Sequence, residues 1–146
     1  MAYQQSRQSS SHSQINHHSM PQQRTASREE FLWRRKLDLE ERAFDVMADI
    51  KAFQDKLARI EKRKNELKRQ LEDLKVKLQT SNVLHLLPGV AKMVPRPEPE
   101  MRLFESQIKR LLEDEAKTED ALFAAQHSLE SLNAKIAHLE AEISLL

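Results

Sequence analysis

The sequence predicts an all-α protein of two long coiled-coil helices joined by a proline-containing connector, with an extended segment in front. Two observations carry that reading. Apolar residues recur at intervals of seven through two separate arms. The single glycine and four of the five prolines gather at the break between them. Residues spaced alternately three and four apart fall on one stripe of a helix wound to 3.5 residues per turn, and that stripe needs a partner to bury it.

Composition agrees. The 146 residues are 32% charged and 39% hydrophobic, with one Trp, one Tyr and five Phe, the profile of solvent-washed helix rather than of a mixed compact core. There is no cysteine, so disulfides and thiolate metal sites are excluded and a reducing, cytoplasmic setting fits. No apolar run approaches the length of a membrane span, and the first residues lack the apolar core of a secretory signal.

Residues 1–26 are Ser-, Gln- and His-rich and too polar to offset their ordering entropy alone. His12, His17 and His18 invite a metal reading, but no carboxylate or cysteine completes a ligand set, so no metal or cofactor is expected. Ser27-Arg28-Glu29-Glu30 reads as a capping box, which places the start of the first helix at Ser27.

From there to about Asn82 no Gly or Pro intervenes, so a rod of about 80 Å is expected. Leu32, Leu39, Val46, Phe53, Ile60, Leu67 and Leu74 form the d series. Lys36, Ala43, Ile50, Leu57, Lys64, Leu71 and Leu78 form the a series. Residues 83–98 break the pattern, yet Val83, Leu84, Leu86, Leu87, Val90, Met93 and Val94 make this connector apolar. Pro99 suits the first turn of the second helix, residues 99–146. There Met101, Ile108, Glu115, Leu122, Leu129, Ile136 and Ile143 occupy a, and Phe104, Leu111, Thr118, Ala125, Leu132, Leu139 and Leu146 occupy d.

Charge favours pairing of the arms as an antiparallel hairpin. Residues 27–82 carry 15 basic and 12 acidic side chains, whereas 98–146 carry 5 and 11. In antiparallel pairing, facing residue numbers have a constant sum, and 182 brings the polar exceptions together. Lys64 then faces Thr118, and Glu115 lies in the adjacent layer. These three are the candidate register-setting residues, because a buried unpaired charge is costly and one polar layer can fix alignment.

Chemistry finds no support in the sequence. No phosphate loop, nucleophile elbow or metal-ligand pair is present, so no catalytic or cofactor-binding residue is expected. The residues before the heptads include Glu29, Glu30 and Trp33 rather than a basic region, which excludes a zipper-type nucleic-acid binder. Basic residues interleaved with acids, rather than gathered on one face, count against a membrane-surface helix. A non-enzymatic structural protein of a cytoskeletal assembly remains, with a coiled-coil adaptor or a prefoldin-like chaperone subunit as the alternative. The four prolines count against the β-hairpin connector of the latter.

Ser27-Arg28-Glu29-Glu30-Phe31-Leu32-Trp33-Arg34-Arg35-Lys36, followed by charged heptads, resembles myofilin of insect muscle thick filaments. The resemblance covers the first arm. It implies a protein packed among myosin rods in a filament backbone, located in the myofibril. Within that frame three partner-binding surfaces are expected: Phe31 with Trp33, the connector from Val83 to Val94, and the basic face with Arg59, Lys62 and Arg63.

Overall fold

The computed structural model describes residues 20–89 and 96–146, with side chains described from residue 27 onward. Residues 1–19, including the three histidines weighed for metal, and residues 90–95, including Val90, Met93 and Val94, lie outside the described residues. Two helices make up the fold: α1, Met20–Leu84, and α2, Glu98–Ser144. They pack against each other, and the described residues contain no strand.

The helix starts earlier than its capping box. α1 begins at Met20, so Ser27 is an exposed interior residue rather than a cap. Pro21 occupies the second helical position, where its missing N–H would be unpaired in any case. Residues 22–26 hold no glycine or further proline, and nothing stops the helix from continuing backwards. The far end also runs past Asn82. There the Leu86 and Leu87 amides donate to the Val83 and Leu84 carbonyls at 3.1 and 3.0 Å, tightening the last turn. Gly89 has a φ of 78°, a left-handed conformation that costs a residue without a Cβ little. α2 then opens with Pro99 in second place and Glu98 and Glu100 at the positive end of its dipole.

Burial tracks the heptads. Every a and d position from Leu32 to Leu78 is buried or half-buried, and so is every one from Met101 to Ile143. Leu39 and Leu67 are the most enclosed, each 1% exposed. At about 25 cal/mol per Å² of apolar surface, a leucine enclosed in this way stabilises the fold by about 2 kcal/mol. The terminal d residue, Leu146, is half-exposed, since α2 ends at Ser144.

Packing contacts gather into two units. The first comprises the described residues up to Phe44 with Glu130–Leu146, and the second is Asp45–Leu129. In the first, Arg28 donates to Glu142 at 3.0 Å and Lys36 lies 3.4 Å from Glu140. In the second, Lys56 lies 3.1 Å from Asp114, Lys64 reaches Glu115 at 3.0 Å, and Arg96 donates to Asn82 at 3.0 Å.

These pairs exclude the sum of 182. Lys56 and Asp114 total 170, as do Arg28 and Glu142. Under 182 each partner would sit twelve residues away, about 18 Å along the helix axis. No lysine or arginine side chain spans that distance. The heptad repeat survives a slide of seven unchanged, so it could not settle the alignment. Lys64 can serve Glu115 from more than one alignment because its long side chain reaches past its own layer.

Candidate interaction surface

The residues singled out by sequence fall into four places. Lys64 is 8% exposed and sits on the seam of α1. Its ammonium donates to both oxygens of Glu115, at 3.1 and 3.0 Å, and lies 3.2 Å from Glu61 one turn back. The hydrogen bond from Lys64 to Glu115, then that to Glu61, holds the Lys64 ammonium above the usual lysine range despite partial desolvation. Lys64 in turn holds the Glu61 carboxyl below the usual glutamate range. Thr118 does not join this group. It is 3% exposed, and its hydroxyl donates to the Asp114 carbonyl of its own helix at 2.8 Å.

The basic face is divided. Arg59 and Lys62 are exposed, while Arg63 pairs with Glu66 on its own helix. Lys56 and Lys64 are the basic residues of this region that cross to α2, at Asp114 and Glu115. Of the described connector residues, Leu86 is 82% exposed, Val83 63% and Leu87 50%, while Leu84 is half-buried. Beside them Ser81 Oγ, His85 Nδ1 and Glu98 Oε1 are buried with no hydrogen-bond partner among the described residues. The types are those of an acyl-transfer triad, but the hydrogen bonds that would link nucleophile, base and carboxylate are not formed. Among the described residues no group of three metal-ligating side chains converges. No described helix is long and apolar enough to cross a membrane.

Phe31 and Trp33 are both exposed, and the Lys36 ammonium lies 4.9 Å from the centre of the Trp33 ring. The sequence expectation ended at those two residues, but the exposed apolar surface is longer. Trp33, Leu37 and Phe44 are spaced by four and seven, so they share one face of α1. All three are exposed, at 43%, 62% and 68%. Phe31 points to the opposite side by the same helical geometry. The signal was readable: apolar residues at helical spacing that belong to neither heptad series.

No family model matches the chain, and neither a curated protein nor a solved structure is similar to it.

Proposed function

We propose that this is a non-enzymatic structural protein, an antiparallel coiled-coil hairpin that packs into a cytoskeletal filament. The observation that carries the proposal is the coincidence of burial with the heptad seam, which leaves the rest of the surface for lateral contacts. Each unit supports a pairing sum of 175. In the second, Gln70, Asp73, Leu74 and Lys77 line one hollow with Glu100 and Phe104, while Arg63 and Leu67 line another with Gln107, Arg110, Leu111 and Asp114. In the first, Arg35 and Leu39 share a hollow with residues between Ser131 and Leu139.

At 175, Lys64 faces Leu111 and Ile60 faces Glu115, and the Lys64–Glu115 bond ties these two neighbouring layers. The ion pairs whose numbers total 170 lie on the flank of that seam, at the residues just before an a position in both arms. Such flanking pairs contribute little energy each but discriminate between alignments.

The resemblance of the first arm to myofilin proposes the filament: myosin rods, themselves coiled coils, in the myofibril. Exposed Trp33, Leu86 and Leu87 are the contacts that such packing would bury. A coiled-coil adaptor would use the same surfaces with a different partner. A prefoldin-like subunit is less well supported, since His85–Gly89 form turns and a bend instead of a strand.

The test is co-sedimentation of the full chain with purified myosin rods under filament-forming salt. Saturable pelleting that weakens in a Leu86→Glu, Leu87→Glu variant supports the reading. A helical chain that stays in the supernatant at every rod concentration removes it.

A further inference from the structure

The first unit carries two surfaces that complement each other and cannot meet within one chain. One is the outer stripe of Trp33, Leu37 and Phe44. Glu29, Glu30, Glu40 and Glu41 border it and outnumber the two cations there: Arg34 is held 3.7 Å from Glu30, and Lys36, over the Trp33 ring, lies 3.5 Å from Glu40. The other is a hollow of about 420 Å³ between the two helices. Buried Leu39 and Leu139 form its floor, and exposed Arg35, Ala134, Lys135 and His138 line its sides. The small side chain of Ala134 opens it, since a larger residue there would fill the space between the leucines. Asp38 and Glu142 stand outside the rim, 4.0 Å from Arg35 and 3.5 Å from His138.

We propose that the stripe of one copy docks into the hollow of a second copy. Apolar surface meets apolar surface, and the carboxylates beside the stripe meet Arg35 and Lys135 on the rim of the hollow. At 100° per residue, Arg35 and Leu39 lie about 160° round α1 from the stripe. The two surfaces therefore point away from each other, and a docked copy still offers its own stripe or hollow to the next. A contact of this head-to-tail kind does not close on itself and builds an open-ended assembly. Each contact buries only a few side chains, so the assembly depends on concentration and weakens with salt. The proposal needs the pairing of α1 with α2 in this unit and no outside filament.

Two variants test it, both at exposed helical positions: Leu37→Glu disables the stripe and Ala134→Glu fills and charges the hollow. Circular dichroism checks that each remains helical. In sedimentation velocity the natural chain is expected to grow with concentration in steps of 17.1 kDa without a plateau. Each variant alone stays monomeric. An equimolar mixture restores one intact contact and stops at a heterodimer. Growth that both variants retain overturns the proposal, and so does a mixture that stays monomeric, which would mean a symmetric contact instead. A natural chain that is monomeric throughout overturns it too, and leaves the hairpin standing if Ala43 and Leu132 cross-link within the chain.

Discussion

Cysteines at Ala43 and Leu132 should close an intramolecular disulfide, whereas cysteines at Ala43 and Leu139 should not. Both pairs belong to the first unit, and all three native residues are buried, at 4%, 8% and 8% exposure. Ala43 faces Leu132 at a pairing sum of 175 and Leu139 at 182. The two alternatives differ by one heptad, about 10.5 Å along the axis. A disulfide tolerates Cα separations of only about 4.4–6.8 Å, so one alignment cannot make both bonds. The chain has no cysteine of its own to confuse the result. The bond would close a loop of roughly 90 residues, for which chain entropy gives about 4.6 kcal/mol. Strain reduces that figure, and comparing oxidised with reduced forms of the same variant cancels the loss of the Leu132 side chain. The assay is non-reducing electrophoresis and then urea denaturation of both forms. A fast-migrating monomer for 43/139 and none for 43/132 would refute the alignment. Cross-links found only between chains would refute the hairpin.

The seam and the surface beside it set three further outcomes. Leu67→Ala should cost about 2–3 kcal/mol, near the lower end for a buried leucine, because a hollow lined by Leu67 and Leu111 already lies open beside it. Leu103→Ala, at a residue 54% exposed, should stay within about 0.5 kcal/mol, and urea midpoints compare the two. Lys64→Glu should destabilise by placing a carboxylate beside Glu61 and Glu115, and adding Glu115→Lys should restore much of the loss. The same group gives stability a two-sided dependence on pH. The raised Lys64 contributes fully below the ordinary lysine value of 10.5, and its contribution is lost as pH climbs through the higher folded value. The lowered Glu61 contributes above the ordinary glutamate value of 4.5, and that contribution is lost as pH falls through the lower folded value. Urea midpoints against pH should therefore show a plateau between, and Lys64→Met should abolish the alkaline shoulder.

Legibility in the sequence differed by kind of feature. The seam could be read residue by residue because burial depends on periodicity, which one chain states outright. Alignment could not, because a heptad pattern is unchanged by a slide of seven. Flanking ion pairs such as Lys56 with Asp114 distinguish the alternatives, and they become visible only when the helices are side by side. Ser27 misled for a related reason. A Ser with a Glu three residues later satisfies a helix end, but an exposed helix interior tolerates it equally well. The Thr118 hydroxyl was expected across the seam, yet its own helix offered an acceptor one turn away at Asp114. The stripe of Trp33, Leu37 and Phe44 is legible in the sequence as well, as apolar residues at helical spacing that belong to neither heptad series.

Cross-helix bonds in this chain link residues at very unequal distances along the sequence. Arg96 and Asn82 are 14 residues apart, Lys64 and Glu115 are 51, and Arg28 and Glu142 are 114. Closing the longest of these loops in an otherwise unformed chain costs about 1.9 kcal/mol more than closing the shortest, since each doubling adds about 0.6. Folding that begins beside Gly89 meets this cost in small instalments, each new layer extending a loop already closed. In the proposed hairpin the order of assembly is then that of a zipper started beside Gly89, and the order of opening is the reverse. Amide hydrogens near Arg28 and Glu142 would exchange first and those near Leu74 last, so the ends that the chain joins latest are the ones it releases most readily.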